Sequence, residues 1–418
     1  MLELALKSLA NRKLTAALAI LTVALSVLLL IGVERLRSEA RASFANTVAG
    51  TDLIVGARTG SVQLLLYSVF RVGNASNNIG WDSYQALRQD PRIAWTIPVS
   101  LGDSHRGFAV LGTTGDYFRH LRYGDAQPLT FAAGKPFSGV HDAVLGAEVA
   151  RRLGYQPGDR LVLTHGSGEG ALSEHEDQPF TVSGILASTG TPVDDTVHVS
   201  LAGLEAIHAG WESGSASLLA QSGLLAEGVS ADAQPESITA FYVGLKSRSQ
   251  LFAVQRTISD YADEPLLAIL PGVALSELWA LLRVAEQALL VVGGLVVVVG
   301  LFGMLAALLT GLNERRREMA ILRATGARPR HIFTLLMGET VALVSAGILL
   351  GMGLLYLLLF ACRPVLRTVY GLHIGIAAPS ATEWLLLALV LAAGALSGLI
   401  PAWRAYRSAL ADGLTLRV

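Results

Sequence analysis

The chain has 418 residues, 52% of them apolar and only 16% charged, with a mean hydropathy of +0.50. That composition excludes an ordinary soluble globular protein, and a net charge of −1 gives nucleic acid nothing to bind. A single cysteine, Cys362, excludes an intrachain disulfide and a cysteine-based metal cluster.

The small net charge conceals an asymmetry. Residues 34–283 carry 26 acidic and 18 basic side chains, a net −8, whereas the rest of the chain sums to +7. A basic membrane part and an acidic exposed domain suit opposite sides of a bilayer. Residues 1–13 form an amphipathic segment with Lys7, Arg12 and Lys13 just ahead of an apolar run, which places the N-terminus in the cytoplasm. Residues 14–33 are uncharged, and their 20 positions are about what a tilted helix needs to cross the hydrocarbon. A cleaved signal peptide, with Ala40-Arg-Ala42 as cleavage site, is the rival reading, although this run exceeds the roughly 7–15 residues of a usual signal core.

Residues 34–283 contain no uncharged stretch long enough to span a membrane. Short β-branched segments at 53–55, 94–97, 108–111, 161–164, 180–182 and 196–199 alternate with helical signals at 146–153 and 247–261. The mixture predicts a large α+β extracytoplasmic domain, with a Ser/Ala/Gly-rich flexible excursion at 210–234. Three further spans follow, at 286–312, 335–362 and 384–403, the last with Trp384 and Trp403 at its two interfaces. Residues 363–383 form a short outside loop and 404–418 a cytoplasmic tail. The predicted fold class is therefore an α-helical membrane protein of four transmembrane helices, with the α+β domain between the first and second.

The stretch 313–332 between the second and third spans carries six Arg against two Glu. Loops this basic stay on the cytoplasmic side. Glu314 and Glu318 near its start and Gly326 after it predict a short helix, and Pro329 blocks simple continuation. The bland alternative is a positive-inside anchor with no further role. Its residue order, Glu314-Arg-Arg-Arg-Glu-Met-Ala-Ile-Leu-Arg-Ala-Thr-Gly-Ala327, closely resembles the signature loop of the FtsX-like ABC permeases of the MacB type. The resemblance extends to Val110–Phe118, Ala143–Ala150, Pro157-Gly-Asp159 and Phe180–Leu186, which are similar to that family's periplasmic core domain. It also takes in the pattern Leu4–Thr15 and the ending Pro401–Arg407. Gly134-Lys-Pro-Phe137 is a small departure, since relatives often have Gly-Arg before the Phe.

The resemblance implies a permease of the bacterial inner membrane that acts as a homodimer with two copies of an ABC ATPase. ATP and magnesium would be held by that partner. Glu314, Arg315, Arg316, Arg317, Glu318, Met319, Leu322 and Arg323, with Gly326 closing the helix, would contact the ATPase. The output would be export or force transmission to a periplasmic protein, a lipoprotein or a client in membrane lipid. A lipoprotein-releasing permease is an alternative within this class, and a sensor or scaffold that regulates a periplasmic partner without transport is one outside it.

The chain itself shows little chemistry. A phosphate-cradling Walker loop needs Gly-Lys-Ser/Thr. Of Lys7, Lys13, Lys135 and Lys246 only Lys135 follows a glycine, and Pro136 comes next. There is no Gly-x-Ser-x-Gly elbow and no distinctive carboxylate pair, so the chain is not expected to be an enzyme. His165, Glu174, His175, Glu176 and Asp177 gather imidazoles and carboxylates that suit zinc, or else form a solvated acidic loop. Glu339 borders the third span and is expected at headgroup level near Arg328 or Arg330. Gly293, Gly294, Gly300 and Gly303, with Gly347, Gly351 and Gly353, permit close helix approach, either between two copies or within one.

Overall fold

A computed structural model describes residues 13–47, 49–165, 178–208, 234–370 and 377–407. The α-helices in chain order are α1 (Lys13–Thr47), α2 (Ser61–Phe70), α3 (Trp81–Arg88), α4 (Asp116–His120), α5 (Ala147–Leu153), α6 (Leu201–His208), α7 (Leu251–Ser259), α8 (Pro271–Ala324), α9 (Pro329–Tyr370) and α10 (Ala381–Arg407). Two compact units result. One comprises Met1–Glu39, Arg283–Pro364 and Ile374–Val418, and the other Ala40–Leu282 with Val365–His373. Helices α1 and α8 contribute residues to both.

Among the described residues of the helical unit, four helices are long and apolar enough to cross a membrane: α1, α8, α9 and α10. On α1 the buried positions Ala19, Val23, Val27, Leu30 and Ile31 recur at helical spacing, while Leu18, Leu21, Leu25 and Leu29 remain exposed on the opposite side. The inward stripe meets Val297, Leu301 and Met304 of α8, Leu343, Val344 and Leu355 of α9, and Leu387 and Val390 of α10. Glycines set the spacing. Gly300 abuts Ser26, whose Oγ also donates to the Val296 carbonyl at 3.1 Å. At Gly351 a Cβ would stand 2.6 Å from the Ala24 carbonyl oxygen, and at Gly398 it would stand 2.7 Å from Thr340. Gly293, Gly300, Gly347 and Gly351 thus serve packing within the chain, whereas Gly294 and Gly353 meet open space.

Polar side chains pin the two ends of this unit. Glu339 is only 4% exposed, so it is buried in the helical unit, whereas Arg328 and Arg330 are both exposed. The helix turns it toward the interior next to Thr340, which packs on Gly398. Near the start of α10, Arg35 reaches Glu383 at 3.4 Å, the Ala377 carbonyl at 2.6 Å and the Tyr356 hydroxyl at 3.2 Å. Two residues on, Arg37 bridges Glu34 at 2.7 Å and Glu286 of α8 at 3.6 Å. Helix α1 is thereby tied to all three others.

The second unit is built on a mixed sheet. Its main strands are β1 (Leu53–Ala57), β2 (Ile93–His105), β3 (Phe108–Thr113), β4 (Phe131–Gly134), β5 (Asp142–Leu145), β6 (Phe180–Leu186), β7 (Thr196–Ser200), β8 (Ala240–Leu245) and β9 (Leu266–Ile269), in the order β9-β1-β8-β2-β3-β7-β5-β6-β4. Only β3–β7 and β5–β6 run parallel. The expected strand at 161–164 is split into Arg160–Leu161, paired with β6, and Thr164–His165, paired with β2. Between them the Val162 carbonyl meets the ring of His105, at Nδ1 and 2.6 Å, rather than the backbone of β2. The helix expected at 247–261 begins as a 3-10 turn, Arg248–Gln250, before α7. At the ends of the helices that belong to this unit, Phe44 packs on Phe70 at 4.3 Å and on Trp279 at 5.5 Å, with the Arg41 guanidinium over Trp279.

Candidate coupling site

The basic stretch 313–332 lies where α8 gives way to α9. Sequence alone suggests a separate short helix here; instead α8 runs unbroken to Ala324. Nothing between Gly311 and Ala324 interrupts it, because Glu, Arg, Met, Ala and Leu are all good helix formers. Thr325 N–H and Gly326 N–H then donate to Ile321 and Arg323 carbonyls at 3.0 Å each. Gly326 adopts φ 98°, a conformation that glycine reaches without steric cost. Pro329 opens α9, where its missing N–H would have had no intrahelical partner.

The side chains of Glu314, Arg315, Arg316, Arg317, Glu318 and Leu322 lie outside those described, and only their helical backbone is placed. Met319 is half-buried and packs with Ile332, Leu336, Ala402 and Ala405, so it braces the bend against α9 and α10. Arg323 donates from Nη2 to the Tyr406 carbonyl at 3.0 Å, fastening the end of α8 to the end of α10. Ile321, which is 54% exposed, and the stacked, exposed pair Trp403 and Tyr406 on α10 add apolar surface at the bend that the arginine-rich order does not by itself single out. Exposed apolar groups set among arginines are the signal that could have singled them out. The bend therefore combines a rigid helical backbone, a fixed left-handed turn and a surface that is both basic and apolar.

The zinc candidates Glu174, His175, Glu176 and Asp177 lie outside the described residues, as does the side chain of His165. Among the described residues no three His, Cys, Asp or Glu side chains come together as metal ligands. The other described histidines of the sheet unit are engaged otherwise. His105 is held between Val162 and Tyr155, His120 stacks on Trp95, and His141 faces Gln178. His198 is fully buried, with Nδ1 3.2 Å from the Val144 carbonyl.

Four apolar helices of spanning length with a mixed α/β domain inserted after the first define a polytopic membrane protein of permease architecture. The MacB-like periplasmic core domain family matches residues 16–261, and the FtsX-like permease C-terminal family matches residues 290–410. The chain belongs to the FtsX-like permeases that carry a MacB-like periplasmic core domain, membrane components of ABC transporters that work with ABC ATPase partners. Among solved structures it is similar to the periplasmic region of MacB from Actinobacillus actinomycetemcomitans, at 9% identity and a TM-score of 0.34 over 56% of this chain and 94% of that one. It is also similar to the extracellular domain of the noncanonic ABC-type transporter YknZ from Gram-positive bacteria, at 12% identity and a TM-score of 0.31 over 52% of this chain and 99% of that one. No curated protein matches.

Proposed function

We propose that this chain is the membrane subunit of an ABC system in which a separate ATPase docks on the 313–332 bend and the permease relays its motion to the periplasmic domain. Two permease chains would pair with two ATPase chains, which hold the ATP and magnesium. Both termini and the bend face the cytoplasm in this arrangement. Glu314, Arg315, Arg316, Arg317, Glu318 and Leu322 offer charge and helix surface to the ATPase, joined by the exposed Ile321. Met319 and Arg323 keep the bend in shape.

The observation that carries this reading is the continuity of α8. It is a single helix of 54 residues, on the order of 80 Å long, whose C-terminal turns carry residues 313–324 of the proposed docking segment. A push at the docking end meets no proline or loop that could absorb it. Gln287–Asn313 contains no charge, which favours mechanical work on a periplasmic or lipid-embedded client over a polar path through the bundle. The test is copurification of the full chain with its ATPase in lipid nanodiscs. Reversal of Arg315, Arg316 and Arg317 to Glu is expected to abolish both association and stimulation of ATP hydrolysis. Stimulation that survives the triple reversal would overturn the docking assignment.

A further inference from the structure

A charged group that coupling does not use lies part-buried in the sheet unit. Arg71 follows α2 directly and adopts φ 60°, ψ 28° in the left-handed region, where a Cβ is unfavourable and glycine is the usual choice. Its guanidinium turns back toward the helix end. Nη1 donates to the Ser68 carbonyl and lies 3.4 Å from the Tyr242 hydroxyl, which itself donates to Ser68 at 2.6 Å. Capping of the helix accounts for Nη1. It does not account for Nε, which is buried without a hydrogen-bond partner among the described residues.

No carboxylate among the described residues forms an ion pair with Arg71, and its titratable neighbours do not supply a negative charge. Burial raises the phenols of Tyr117 and Tyr242 above their ordinary range, so both stay protonated. Burial, with Arg71 itself, lowers His198 to about 3 and keeps that ring neutral. Among the described residues the cluster thus holds one part-buried cation and no anion, and the atom of Arg71 shielded from water is Nε, a donor that is costly to leave unpaired. Beside it lies a cavity of about 20 Å³, lined by Arg71, Thr47, Thr51, Tyr117, Tyr242 and four aliphatic side chains. That is room for one species of roughly water size. Thr47 and Tyr242 already donate to backbone carbonyls, at Ser43 and Ser68. Tyr117 also lines the cavity, and its protonated hydroxyl has a proton to give.

We propose that this cavity binds one small monovalent anion of chloride size, held by Arg71 with the hydroxyls of Tyr117 and Thr51. The anion neutralises the guanidinium and gives the left-handed arginine a purpose that glycine could not serve.

The test uses the full chain in nanodiscs, with chloride exchanged for gluconate at constant ionic strength. Wild type is expected to show a saturable excess chlorine NMR line width over empty nanodiscs, and a higher Tm in chloride than in gluconate. Arg71→Gln is expected to lose both. Tyr117→Phe keeps the ring packed and should raise the chloride midpoint roughly ten-fold by removing one donor. The proposal is overturned if wild type melts identically in the two salts, because the cavity then holds only water. It is also overturned if Arg71→Gln retains the wild-type line width, or if Tyr117→Phe leaves the midpoint unchanged where Arg71→Gln fails to fold.

Discussion

Replacing Glu383 with Gln is expected to weaken the helical unit by removing one half of its buried ion pair. Glu383 and Arg35 are 2% and 4% exposed and approach to 3.4 Å. At that distance two unit charges attract by about 5 kcal/mol at an effective dielectric constant of ~20. The variant does not forfeit all of this. Arg35 keeps the Ala377 carbonyl and the Tyr356 hydroxyl and ring, and the new amide oxygen can still accept from Ser380 N–H, now 3.0 Å away. Breaking one side of a buried pair costs about 3–5 kcal/mol, and the retained contacts put Glu383→Gln near the lower figure. Unfolding of the micelle-solubilised protein by sodium dodecyl sulfate, followed by circular dichroism, measures the loss. Arg35→Met and the double variant Arg35→Met with Glu383→Gln complete a cycle. The double variant should be less damaged than the sum of the singles by at least ~2 kcal/mol, since no unpaired charge remains. A loss below ~1 kcal/mol for Glu383→Gln, or strict additivity, would refute the argument.

Other consequences follow from packing and titration. Gly351→Ala places a Cβ 2.6 Å from the Ala24 carbonyl oxygen and 3.0 Å from Val27, and should cost about 1–3 kcal/mol in the same unfolding assay. Gly353→Ala meets open space and should be neutral or slightly stabilising in a helix. In the sheet unit, Gly146→Ala would drive a Cβ into the Val193 and Asp194 carbonyl oxygens and should lower Tm further than Gly154→Ala. Gly154→Ala bears only the strain of φ 75°, about 1 kcal/mol. Asp195 is raised from 3.8 to about 6 by burial and by its neighbours Glu148 and Asp194. The folded state therefore binds this proton more tightly than the unfolded chain, and stability should fall as pH rises from about 4 to about 6. Asp195→Asn should remove that component of a pH-dependent melting series; an unchanged slope would contradict it.

The sequence announces features that depend on near neighbours along the chain. The four apolar helices are legible because runs such as 14–33 and Gln287–Asn313 contain no charge, and Gly326 is legible as a helix stop from its place after Ala-Thr. The short apolar stretch that becomes α2, Ser-Val-Gln-Leu-Leu-Leu-Tyr-Ser-Val-Phe, could equally be a strand by periodicity, and tertiary context decides it. Strand β8 is not legible in the sequence because it is buried on both faces and lacks the alternation that marks a half-exposed strand. Partners far apart along the chain are invisible in principle: Arg35 and Glu383 are 348 positions apart. At the bend, the arginines stood out by composition. The bracing role of Met319 against Ala402 and Ala405 required the fold.

One detail of the sheet bears on how such a protein can change. Helix α1 leads into β1, and β9 leads into α8; β1 and β9 are antiparallel neighbours at the sheet's edge, with Ile54 opposite Ile269. The polypeptide thus leaves the helices and returns to them at adjoining points. An insertion with its two ends zipped together is a cassette: it can be lengthened, swapped or replaced by a tight hairpin with little entropic cost of loop closure. Sequence change can then accumulate in the cassette while the helices and their basic bend stay as they are.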